Sequence, residues 1–162
     1  MNFKFFKATL NFSYLFIILF LLFQTYVYSG TDKTSGIIYQ LEKEIAVCKV
    51  NCHSFGNYDC QNKNEREIVS LNVSKVKQLF IKGRGLAEAS TCYSHGRISA
   101  EFESNDGKVS KQGEGVIQCK SSGKFTISLD FETVQSGELT IYLRVSDWCT
   151  ALTKLKVIAV NE

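Results

Sequence analysis

From Phe125 onward, apolar side chains recur at every second position, and this period limits the fold more than any other feature of the chain. Phe125, Ile127, Leu129 and Phe131 alternate with Thr126, Ser128 and Asp130. Leu139, Ile141, Leu143 and Val145 alternate with Thr140, Tyr142 and Arg144, and Leu155, Val157 and Ala159 continue the pattern. Upstream, Val69, Leu71 and Val73 behave alike, as do Ile98, Ala100 and Phe102. Successive side chains of a strand point to opposite faces, so a period of two marks strands with one buried side. Turn residues punctuate the pattern at Gly83-Arg84-Gly85, Asn105-Asp106-Gly107, Gly113-Glu114-Gly115, Ser121-Ser122-Gly123 and Ser136-Gly137. About seven short strands at such spacing predict an all-β chain, an immunoglobulin-like β-sandwich. Ile38 to Val47 reads as either a short helix or a strand.

The first residues read as a secretory signal peptide, 1–29. Lys4 and Lys7 form a positive start, Tyr14 to Phe23 is an apolar and aromatic run, and Val27 and Ser29 suit cleavage before Gly30. The rival is a retained membrane anchor, but stretching the run from Ala8 to Tyr28 takes in Thr9, Asn11, Ser13, Gln24 and Thr25. The expected protein is secreted, periplasmic or at the cell surface, and touches a membrane only if this segment is retained. After it come a cysteine-rich segment, 30–65, and the sandwich, 66–162.

All six cysteines, Cys48, Cys52, Cys60, Cys92, Cys119 and Cys149, lie beyond the signal segment. An even count in an exported chain predicts disulfides, with the connectivity left open by spacing alone. The formal net charge of +3 comes largely from Lys4 and Lys7, and the remaining charges are interspersed along the chain. That balance argues against a nucleic-acid partner and against a polybasic membrane-surface protein.

Residues from about Val69 to Val160 carry a further pattern. It runs through Ile81-Lys82-Gly83, Cys92, Cys119-Lys120-Ser121-Ser122-Gly123-Lys124-Phe125-Thr126, Leu129-Asp130-Phe131, Ser136-Gly137-Glu138-Leu139-Thr140-Ile141 and Val145-Ser146-Asp147. In this the chain resembles the bacterial immunoglobulin-like domains repeated in surface and adhesin-type proteins. The resemblance implies a bridge between Cys92 and Cys119. It departs after Asp147, where Trp148-Cys149-Thr150 replaces the family's small residues and an asparagine. No calcium site is expected there, because one oxygen ligand is lost. In a sandwich of this layout, the loops holding Cys92, Cys119 and Cys149 gather at one end, where the chain also enters. With Cys92 and Cys119 paired, Cys149 should bridge to Cys48, Cys52 or Cys60 and pin the cysteine-rich segment there.

The sharper chemistry is weak. Cys48-Lys49-Val50-Asn51-Cys52-His53 is one residue too long for haem attachment, and an all-β chain offers no helical haem pocket. Cys48, Cys52, His53 and Cys60 have the ligand types of a zinc site, but disulfides are the expected use in an oxidising compartment. There is no nucleophile elbow, zincin motif or phosphate loop. No catalytic residue, metal or cofactor is expected. Asn72-Val73-Ser74 is a glycosylation acceptor only in a eukaryotic source. Trp148 either packs on the neighbouring disulfide, the more usual fate of a tryptophan, or projects as an aromatic anchor. The expected function is a non-enzymatic binding module of the cell envelope or surface. Its candidate contact residues are Asp147 and Trp148, and its partner a protein or glycan. The alternatives are a structural subunit that adds strands along an edge at Leu152 to Val160, and a redox or haem protein using Cys48, Cys52 and His53.

Overall fold

A computed structural model describes residues 34–49, 57–88, 95–119, 122–145 and 148–161. All lie in one compact unit, Lys33–Glu162; the other unit, Met1–Asp32, into which the expected signal segment falls, is outside the described residues. The strands are β1 (Ser35–Gln40), β2 (Ile45–Cys48), β3 (Asp59–Asn62), β4 (Glu65–Glu88), β5 (Gly96–Ser104), β6 (Ser110–Ile117), β7 (Gly123–Arg144) and β8 (Cys149–Asn161). They form one 8-stranded sheet in the order β3-β2-β8-β4-β7-β5-β6, with β1 also on β8.

The sheet becomes a sandwich because its two longest strands fold over together. The first half of β4 pairs with the second half of β7, from Glu65↔Arg144 to Val73↔Gly137. The second half of β4 pairs with the first half of β7, from Gln78↔Asp130 to Gly85↔Gly123. Between them the register slips at Val73, Val76 and Gln78. Extra residues of this kind bend and twist a strand. Lys75 takes φ 54° inside this corner, a left-handed conformation that few non-glycine residues adopt. One layer is therefore β6-β5-β7-β4 and the other is β7-β4-β8 with β1 and β2 beyond.

The core between the layers is the inward half of each alternation. Leu79, Ile81, Ile98, Phe102, Leu139, Ile141, Leu143 and Leu155 are fully buried. Phe102 of β5 meets Phe131 of β7 with ring centroids 4.6 Å apart. The chain is thus the all-β sandwich its periodicity predicts, and the 30–65 segment supplies β1, β2 and β3 as further strands.

Several expected breaks are not breaks. Asn105-Asp106-Gly107 forms a tight turn between β5 and β6, with Gly107 at φ 68°, and Ser121-Ser122-Gly123 falls between β6 and β7, partly outside the described residues. Gly83, Gly113 and Gly137 lie within β4, β6 and β7. A Cβ at Gly83 would strike the Lys154 carbonyl and the Phe125 ring, one at Gly113 would strike Ile127, and one at Gly137 the Glu103 carbonyl. These glycines let neighbouring groups close in rather than turn the chain. The edge expected at Leu152 to Val160 is also corrected. β8 pairs with β4 on one side and with β1 and β2 on the other, so its backbone bonds are already used.

Candidate functional site

Because β4 and β7 go out along one layer and return along the other, both ends of each lie at the same end of the sandwich. β5 starts there, where Gly96 pairs with Ile117, and β8 starts there with Cys149 opposite Glu88. Ala87 meets Cys119 in an isolated bridge, and its N–H donates to the Gln118 carbonyl at 3.2 Å.

At this end Cys48 and Cys149 are bonded to each other, on directly paired residues of β2 and β8. Cys60 and Cys119 are each in a disulfide too, though not with one another. The bridge that the resemblance implied involves Cys92, which lies outside the described residues. The Cys60 sulfur sits 3.6 Å from that of Cys48, so two bridges are in contact. Ala46, Cys48, Cys149 and Ala151 form a small buried cluster, with Tyr58, Cys60 and Leu86 packed against it. Burial, and then the Glu44 carboxylate, push the Tyr58 hydroxyl pKa upward. The Cys48–Cys149 bond removes one thiolate from the haem and zinc readings, and Cys60's bond removes a second from the zinc set. Cys52 and His53 lie outside the described residues.

β3 is held by charge. Arg66 of β4 donates to the Asp59 carbonyl at 2.7 Å and to its carboxylate at 2.5 Å. This hydrogen bond, and the guanidinium charge with it, lower the Asp59 pKa. Arg66 also borders an open cleft of about 480 Å³ beside β1, together with Tyr39, Leu41, Ile45 and Ile68.

Of the two candidate contact residues, Asp147 lies outside the described residues. Trp148 is 51% exposed, so half of its surface meets solvent. The reason is local. β8 begins at Cys149, whose side chain turns inward to Cys48, and its chain neighbour is thereby directed to the opposite side. The Trp148 carbonyl accepts the Lys49 N–H at 2.8 Å. Thr150, not singled out by sequence, is fully buried, and its side chain fills the space that Gly96 leaves open.

The sequence matches no protein-family model and no curated relative. Among solved structures, the chain is similar to a xylan-binding domain from Paenibacillus barcinonensis, with 17% identity and a TM-score of 0.41. That match covers 57% of this chain and 64% of that domain, a little under two thirds of its length. It is similar to a xylan-binding module of type CBM15 at 6% identity, over 79% of this chain and 97% of that one, with a TM-score of 0.44. A chain of infectious bursal disease virus, Gt strain, matches at 8% identity over 81% of this chain and 34% of that one, with a TM-score of 0.45. These three are two xylan-binding modules and a viral chain.

Proposed function

We propose that the protein is an exported, non-enzymatic binding module whose contact surface is the disulfide-pinned end. Its partner is a protein or glycan of the cell envelope or surface. The observation that carries this reading is Trp148, which keeps half its surface in solvent while the peptide joining it to Cys149 is held by the Lys49 hydrogen bond and the Cys149 bridge. Exposed indole area is unfavourable in water, and a partner that covers it gains about 25 cal/mol per Å². A backbone fixed beforehand also reduces the ordering cost of binding, which is why tryptophans dominate many contact surfaces. The disulfides suit an oxidising compartment. Asp147 would stand beside Trp148 in this surface.

Trp148 is the only tryptophan, so its fluorescence reports the site directly. Titrating the protein with arrayed glycans and solubilised envelope proteins should identify a partner that shifts the emission. Trp148→Ala should weaken that partner by ~2 kcal/mol, roughly 30-fold, with the melting temperature unchanged. Equal affinity of the variant and the parent rules out the pinned end as the contact surface.

A further inference from the structure

The outer face of the β1-β8-β4-β7 layer gathers charges that are scattered in the sequence. Register places its outward residues in cross-strand rows. Nearest the pinned end, Lys124, Arg84 and Lys154 stand side by side on β7, β4 and β8. The next row is Thr126, Lys82, Lys156 and Gln40. Then come Ser128, Phe80, Ile158 and Ile37, and last Asp130, Gln78, Val160 and Ser35. The five cations of the first two rows are all exposed. None is in an ion pair among the described residues, and Lys82 rests over the Phe80 ring, 5.1 Å from its centroid.

Asp130, the one acid of these four rows, does not neutralise them. Asp130 is bonded to Gln78 and Ser128, four residues along the strand from the Lys82 row. At a rise of ~3.4 Å per residue that is ~14 Å, beyond the ~8 Å screening length of physiological salt. Arg84↔Lys154, Arg84↔Lys124 and Lys82↔Lys156 are directly opposed pairs of like charge, an arrangement that weakens a sheet. The opposite layer has the reverse character. Its outward rows hold Glu67, Glu101, Glu103, Glu114 and Glu138, with Arg97 and Arg144 among them. The molecule is therefore electrically two-faced.

We propose that the basic face binds a linear acidic polysaccharide laid across strands β7, β4 and β8. Cations on neighbouring strands repeat every ~4.8 Å, comparable to the length of one sugar unit, so successive anionic sugars meet successive strands. In the adjoining row Phe80 and Ile158 are half-buried and Ile37 is 56% exposed, so an anionic membrane is the rival that the vesicle arm of the test decides. This site is separate from the pinned end and does not depend on it.

Dextran sulfate and uncharged dextran, which share a backbone, are the probes for the full chain. The protein should bind the first and ignore the second, with affinity falling steeply as salt rises. Lys82→Gln, Arg84→Gln and Lys154→Gln combined should weaken dextran sulfate binding on the order of tenfold or more. The melting temperature should stay the same or rise, because like-charge opposition is relieved. Lys63→Gln, Lys108→Gln and Lys111→Gln combined remove equal charge elsewhere and should leave binding within about twofold. Trp148→Ala should bind dextran sulfate as the parent does, which separates this site from the pinned end. The proposal is overturned if the two triple variants bind alike. It is also overturned if vesicles of anionic phospholipid or single-stranded DNA bind more tightly than dextran sulfate.

Discussion

Asp106 shows how much one side chain can organise. Its carboxylate accepts the Ser104 hydroxyl at 2.7 Å and the Lys108 N–H at 3.2 Å. Ser104 in turn accepts the Val109 N–H at 2.9 Å, so the β5–β6 turn is closed by two short side chains. The Ser104 hydrogen bond, then that of the Lys108 backbone, lower the Asp106 pKa from 3.8 to about 2. A depressed carboxylate supports the fold above its unfolded value. That support is lost as pH falls from about 3.8 through about 2. Ser104→Ala should move the Asp106 pKa back toward 3.8, read by NMR titration of its carboxyl carbon. An unchanged pKa would show that the hydroxyl does not set it. The Asn105-Asp106-Gly107 turn was legible in sequence because glycine and its polar neighbours act locally.

Among the elements, β4 decides the architecture, and its corner is its weakest point. Lys75 holds φ 54° there, and its N–H donates to the Ser136 hydroxyl at 2.9 Å. A left-handed conformation costs a non-glycine residue about 1–2 kcal/mol. Glycine avoids that cost but loses about 0.5–1 kcal/mol through the freedom of its unfolded chain. The first effect is larger, so Lys75→Gly should stabilise the protein by about 0.5–1 kcal/mol in urea unfolding. A loss of stability would show that the corner is not strained at Lys75. Sequence reading divided β7 at Ser136-Gly137 because glycine signals both a turn and a close approach. Only the Glu103 carbonyl against Gly137 distinguishes the two, and Glu103 is on another strand. For the same reason Leu152 to Val160 read as an edge. Alternation marks a strand, but the count of its neighbours is settled by β1, β2 and β4, which lie far off in the chain.

For the whole molecule, the Cys48–Cys149 bridge is a covalent tie across a sequence separation of 101. On the chain-entropy model, closing so large a loop contributes about 4–5 kcal/mol. Replacing both cysteines with Ala should reduce the unfolding free energy by about that amount in urea. Protease cleavage between Thr31 and Lys63 should quicken as β2 loosens from β8. A drop under about 1 kcal/mol would mean that the bridge is redundant with the hydrogen bonds of β2. What the sequence alone determined was set by local periodicity and composition. This comprises the all-β class, the inward set from Phe125 to Leu155, and the disulfide character of the described cysteines. The gathering of Cys48, Cys119 and Cys149 at one end was also within reach, because a sandwich returns its loops to the same place. The tertiary structure alone decided which strands are neighbours, that Trp148 faces solvent, and that Lys82, Arg84, Lys124, Lys154 and Lys156 share one face. Charge along a chain is a sum over sequence, whereas the field a partner meets is a sum over space. Pairing three strands in register turned an interspersed pattern into a basic face and an acidic one.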